Sequence, residues 1–131
     1  MTLTERLEAI EAGYEFSLAY AAQGRTDDSG TQIRAMLERM FAALEGLPAQ
    51  TDAALSPGGA AHAASTRRFL DAVRQDCLVA QGAIGLVLDA RAIGSLLVDN
   101  LNANIHLRAL LTDLFLVDQA LKASTNLGHR A

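Results

Sequence analysis

The sequence predicts an all-α protein, a single-domain up-down-up-down four-helix bundle that self-associates. Alanine and leucine dominate, and aromatic residues make up 5% of the 131 residues. This mixture favours helices because little side-chain entropy is lost. Apolar residues recur at helical spacing in four segments, and no segment alternates as a strand would. A chain of this length can fold around a single apolar core. We therefore expect one domain over residues 1–123 and a flexible tail over 124–131.

The first predicted helix runs from Thr4, its expected cap, to Gln23, and Gly24 ends it in a turn. It carries two apolar stripes. The stripe assigned to the core contains Leu7, Ile10, Tyr14, Leu18 and Ala21. Two stripes on one helix imply two packing partners, and monomers rarely leave such a patch exposed. The second stripe therefore predicts a two-fold homodimer interface. Its residues are Ala9, Ala12, Phe16, Ala19 and Tyr20.

The second helix is predicted over Thr31 to Glu45, where Gly46 and Pro48 end it. A flexible connection of about fifteen residues follows, rich in Gly, Pro and Ala, and its "SPGG" segment is the expected turn. The third helix is predicted over Ala61 to Leu88, with Cys77 on its apolar face. The fourth is predicted without interruption over Ser95 to Ala123.

A polar residue recurs at every fourth position of the fourth helix: Asn100, Asn104, Arg108 and Thr112. This helix is apolar on nearly every other side, so the polar seam is expected to be buried and hydrogen-bonded. One interpretation is structural, with the seam fixing the register of the helices. Arg108 then needs a carboxylate, and Asp76 is the first candidate, with Glu11 or Glu15 behind it.

The other interpretation of the seam is functional. Asn104 and Arg108 would hold a small acidic or amide ligand between helices, with Asn100 and Asp76 nearby and Tyr14 at the border of the pocket. Nothing else in the sequence has the pattern of a catalytic site, and no cofactor is expected.

His106 is predicted on the opposite and wetter face of the same helix, together with Asp99, Asn102 and Asp113. Metal sites in helical bundles use Glu-x-x-His pairs on two helices, and this chain contains no such pair. The pattern therefore favours a solvated face without a bound metal.

The net charge and the cysteine content indicate which partners and which cellular compartment to expect. The net charge is −4 and is spread along the chain, which argues against binding to nucleic acid or to anionic membranes. The longest apolar stretch is interrupted by Arg108 and Asp113 and is too short to span a membrane. A single cysteine and no signal-peptide pattern after Met1 favour a cytoplasmic protein.

Together these features predict a non-enzymatic interaction or accessory protein that forms a homodimer and has a possible protein partner. The alternative is a bundle that binds a small molecule, possibly as an enzyme, in a pocket near Asn104, Arg108 and Tyr14.

Overall fold

A computed structural model describes residues 1–55 and 59–130 of the chain, with side chains through residue 124. This part of the chain contains helices and no strand, as the sequence predicts. Six helices are present in it where four were expected. They are α1 (Leu3–Ala21), α2 (Ile33–Leu44), α3 (Leu47–Ala54), α4 (Ala63–Leu88), α5 (Ser95–Asn102) and α6 (Ile105–Arg130).

Helix α1 begins with a capping box that lies two residues before the expected cap. The Thr2 hydroxyl accepts from the Glu5 N–H at 3.1 Å, and the Glu5 carboxylate accepts from the Thr2 N–H at 3.3 Å. The helix ends at Ala21, and Gly24 follows with a φ of 65°. This positive φ is accessible to glycine without strain, so Gly24 acts in the turn as the sequence predicts.

The connection after α2 is partly helical, so the prediction of an irregular segment is wrong for residues 47–54. Gly46 has a φ of 79° and lies at the N-cap of α3, and Pro48 lies in the first turn of that helix. Proline is favourable there because the first N–H groups of a helix have no intrahelical acceptor. Pro48 thus starts a new helix rather than only ending the previous one. The predicted "SPGG" turn includes residues 56–58, which lie outside the described residues.

The predicted fourth helix is divided into α5 and α6 by Ala103 and Asn104. Helix α5 packs against α1, whereas α6 packs mainly against α4. Helix α6 continues through Arg130, so the backbone of the expected tail is helical as far as that residue. The side chains from residue 125 and all of residue 131 lie outside the described part, and the flexibility of the tail stays a prediction.

The apolar core lies between α1, α2, α4, α5 and α6 and includes Ile10, Leu37, Ile84 and Leu110. Helices α1 and α2 approach closely at Gly13, where an added Cβ would overlap the Met40 side chain.

Two arginines join these helices. The Arg6 guanidinium donates to carbonyls at the C-terminal end of α2. Arg34 donates to the Leu88 and Ala90 carbonyls at the end of α4, at 2.8 and 3.1 Å. These hydrogen bonds satisfy carbonyls that a helix end leaves without partners.

Candidate functional site

Asn104 caps a helix instead of lying within one. Its side-chain oxygen accepts from the N–H groups of His106 and Leu107 at 3.0 and 3.1 Å. An N-cap asparagine satisfies donors that the first turn of a helix cannot pair internally. The expectation that Asn104 forms part of a continuous polar seam is therefore wrong, because the helix carrying that seam is interrupted at this residue.

The other residues of the expected seam face solvent. Asn100 donates to the Leu96 carbonyl at 3.0 Å, and Thr112 donates to the Arg108 carbonyl at 3.1 Å. Both bonds stay within one helix, and Asn100, Arg108 and Thr112 are all exposed. Arg108 forms no ion pair with the described residues. The structural interpretation of the seam, a buried guanidinium paired with a carboxylate, is wrong because the apolar face of α6 is turned the other way.

Arg108 and Tyr14 do line one groove, as the functional interpretation of the seam requires. This groove lies between α1 and α6, has a volume of about 210 Å³, and is completed by Leu111, Thr112 and Phe115. Two aromatic rings and a leucine form its apolar lining, and Arg108 is its only cation. Such a groove has the chemistry to receive a small anion with an apolar body.

Asn100 and Asn104 lie elsewhere and do not join this groove. They border a second depression of about 180 Å³ between α4 and α5, together with Ala83, Leu86, Val87, Leu97 and Leu101. The five candidate ligand residues are thus divided among three places, since Asp76 lies in neither depression.

Asp76 pairs with His106 rather than with Arg108. The imidazole Nδ1 lies 3.1 Å from the Asp76 Oδ1, and the side chains are 39% and 17% exposed, respectively. This contact joins α6 to the middle of α4. The prediction that His106 belongs to a solvated face is therefore incomplete, because one side of its ring is held by a largely buried carboxylate.

Asp113 is the third member of this cluster. Its Oδ2 is buried and meets no hydrogen-bond donor in the described part of the chain. Burial, hydrogen bonding to Asp76 and the negative charge of Asp76 together raise the pKa of Asp113 to about 6. A carboxyl group with this pKa shares a proton with its neighbour when the site is protonated. The helical spacing of His106 and Asp113 was visible in the sequence, but their partner on α4 was not.

The prediction that Asn102 lies on the solvated face with His106 is also wrong. It is buried, and its amide donates to the Ser17 carbonyl of α1 at 3.0 Å. Asp99 is exposed as expected. Asp99 and Asn102 are therefore separated from His106 and Asp113, because they lie on α5 and the break at Asn104 divides α5 from α6.

The predicted interface stripe of α1 is only partly available to a partner. Ala12 and Ala19 are exposed and Phe16 is half-buried, but Ala9 and Tyr20 are 2% and 1% exposed. The Tyr20 hydroxyl donates to the Ile93 carbonyl at 2.5 Å, within the chain's own core. Ala9 and Tyr20 are thus wrong as interface residues. Conversely, Leu18 was assigned to the core and is 48% exposed.

Large exposed apolar side chains lie mainly on the later helices. On α6, Ile105, Phe115 and Leu116 are 72%, 53% and 59% exposed, although the opposite face of this helix supplies core residues such as Leu110. Others lie on α4 and α5, namely Leu78, Leu86 and Leu96.

Cys77 is buried, and its thiol donates to the Leu44 carbonyl at 3.4 Å. Burial raises the pKa of this thiol to about 11, and the charge of Glu45 acts in the same direction. A thiol with such a pKa is protonated at neutral pH and is a poor nucleophile. Cys77 is a core residue, as its position on the apolar face predicts.

Comparison with protein-family models, with curated proteins and with solved structures found no match to this chain. No helix in residues 1–55 and 59–130 is long and apolar enough to cross a membrane. Among the described side chains, those of residues 1–55 and 59–124, no group of three His, Cys, Asp or Glu is placed to hold a metal ion.

Proposed function

We propose that this protein is a non-enzymatic helical interaction protein that assembles as a homodimer through the outer faces of α4 and α6. The observation that carries the proposal is the exposure of Ile105, Phe115 and Leu116 on a helix that also packs into the core. Monomeric proteins rarely leave several large apolar side chains together in solvent. We further propose that α1, α2, α4 and α6 form the up-down-up-down bundle and that α3 and α5 are additions to it.

A second copy of the chain is the occupant that best fits this surface. Helices α4 and α6 have 26 residues each, and each is therefore roughly 39 Å long. Two such helices side by side present an area of roughly 800 Å², which is what one partner contributes to an interface of standard size. A two-fold axis on this face places the apolar residues of one copy against the same residues of the other.

The proposal is tested by the mass of the protein in solution. Light scattering after size exclusion is expected to give twice the 13.9 kDa of one chain. Leu116→Glu is expected to give a folded monomer, because a charge is costly in a buried interface and harmless on a free surface.

Ala12→Glu is the matched control, since Ala12 is exposed on α1 and belongs to the interface predicted from the sequence. It is expected to stay dimeric. If Ala12→Glu is monomeric and Leu116→Glu is dimeric, the interface lies on α1 instead. A wild-type mass of 13.9 kDa at high micromolar concentration would contradict the dimer altogether.

A second candidate function is favoured by the groove that contains Tyr14 and Arg108. There we propose a site for a small carboxylate with an aromatic or branched apolar body. The Arg108 guanidinium would bind the carboxylate, and Tyr14, Leu111 and Phe115 would cover the apolar part.

This second candidate is tested by thermal shift with benzoate, phenylacetate and 3-methylbutanoate as probes. At least one probe is expected to raise the melting temperature of the wild type and of Arg39→Met, which removes an exposed arginine elsewhere. Arg108→Met is expected to lose that shift. Equal shifts in both variants, or none in the wild type, would exclude the groove as a carboxylate site.

A further inference from the structure

We propose that Asp76, His106 and Asp113 form a proton-binding site that stabilises the packing of the first turns of α6 on α4. This packing contact weakens as the pH rises from acidic to neutral. The proposal is independent of the dimer and of the α1/α6 groove.

The geometry of the cluster favours a proton shared by Asp113 and Asp76. The Asp113 Oδ2 is buried without a donor among the described residues, and Asp76 is itself 17% exposed. Two neighbouring carboxylates that are both ionised repel each other, and neither can donate to the other. When Asp113 is protonated, its hydroxyl donates to the Asp76 carboxylate, and both groups are satisfied.

His106 completes the arrangement from the other side of Asp76. Its Nδ1 lies 3.1 Å from the Asp76 Oδ1, and a protonated imidazole forms an ion pair there. With Asp113 protonated, the cluster holds one carboxylate and one carboxyl beside the imidazole. After Asp113 has lost its proton, two carboxylates face each other. The raised pKa of Asp113 agrees with this description.

Other charged groups on the neighbouring helices are engaged elsewhere or exposed. On α4, Arg67 and Arg74 both pair with Asp52, and Arg67 also contacts Asp71. On α6, Lys122 pairs with Asp118, and on α5 Asp99 is exposed. Glu8 and Glu11 of α1 line a groove with Asp118 and Lys122, and Arg108 lies in the α1/α6 groove. Arg34 of α2 pairs with Asp28, and Glu45 after α2 accepts from Gln81. Asp76 is therefore the ionisable group that acts directly on Asp113.

The first test follows the carboxyl carbons of the full chain by carbon-detected NMR between pH 4 and pH 8. The Asp113 Cγ is expected to show its main inflection near pH 6. Asp76→Asn is expected to lower this midpoint by at least about one pH unit, because a negative neighbour is removed. Asp71→Asn, an exposed change on the same helix, is the control and is expected to leave the midpoint in place. An Asp113 midpoint in the ordinary range of aspartate, or one that Asp76→Asn does not move, would overturn the proposal.

The second test measures whether protonation of the cluster stabilises the packing of α6 on α4. Amide hydrogen exchange of residues 105–117 is compared at pH 5 and pH 7.5 after correction for the intrinsic pH dependence of exchange. Wild-type protection is expected to fall by about fivefold over this interval, after allowance for solvent screening of the cluster.

Asp113→Asn is expected to keep high protection at both pH values. The amide has the shape of the carboxyl group and donates to Asp76 at any pH, so the variant is expected to fold. The same loss of protection in this variant as in the wild type would overturn the proposal. No loss in the wild type would overturn it as well.

Discussion

Replacing Asn104 with alanine removes the oxygen that accepts two backbone N–H groups at the start of α6. An N-cap asparagine contributes about 1 kcal/mol relative to alanine. We therefore expect Asn104→Ala to lower the free energy of unfolding by about 1 kcal/mol, and the melting temperature by about 4 °C for a domain of this size. Urea unfolding followed by circular dichroism measures the first quantity directly, because a single domain of this length usually unfolds in one transition.

Two comparisons separate the cap from other effects of the substitution. Asn100→Ala is the matched control, because Asn100 is exposed and donates only to the Leu96 carbonyl of its own helix. It is expected to change stability by less than about 0.5 kcal/mol. Asn104→Asp retains an acceptor at the positive end of the helix dipole and is expected to remain as stable as the wild type.

Asn104 does not stabilise α6 as a cap if Asn104→Ala is as stable as the wild type while its helix content stays the same. The break between α5 and α6 would then be imposed by the packing of α5 on α1. Helix capping would then not explain why a polar residue stands at position 104.

Further predictions concern single side chains. Arg108→Ala is expected to leave the urea midpoint unchanged because Arg108 is exposed, and a large loss of stability would show that the guanidinium has a buried partner. Arg34→Ala is expected to cost about 2 kcal/mol in the same assay, since its hydrogen bonds to two carbonyls at the end of α4 are lost. Tyr20→Phe is expected to cost about 1.5 kcal/mol without changing the mass in solution, because its hydroxyl bonds within the chain's own core. Finally, Asp113→Asn is expected to be more stable than the wild type at pH 7 and equal to it at pH 4. A folded pKa of about 6 in place of 3.8 stabilises the protein at acidic pH, and this contribution is lost as the pH rises through 6. The full shift corresponds to about 3 kcal/mol, and solvent screening of this partly exposed carboxyl reduces the expected difference to about 1 kcal/mol. Equal stabilities of both proteins at pH 7 would contradict the assignment of the proton to Asp113.

The helical class of the protein was determined by the sequence alone. Helix propensity and the spacing of apolar residues are local properties, so they predict α2 and α4 to within a few residues. The turn at Gly24 and the burial of Cys77 follow from equally local signals. The sequence placed Asn104, Arg108 and Tyr14 in one pocket, whereas Asn104 borders a different depression from the other two.

The orientation of α1 was decided by tertiary packing. Its buried face includes Gly13 and Ser17, which no hydrophobic pattern assigns to a core. Gly13 lies there because α2 approaches so closely that Met40 leaves no room for a Cβ. A small rotation of the helix therefore buries Tyr20 and exposes Leu18, and the spacing of apolar residues does not specify that rotation.

The break at Asn104 and the Asp76, His106 and Asp113 cluster were also decided by tertiary structure. Asparagine is compatible with a polar position inside a helix and with a cap, and the packing of α5 on α1 and of α6 on α4 selects the cap. Asp76 lies 30 residues from His106 along the chain, so the proximity of their side chains depends on how two helices pack rather than on any local pattern. The raised pKa of Asp113 has the same origin, because desolvation and a neighbouring charge exist only after the helices have come together.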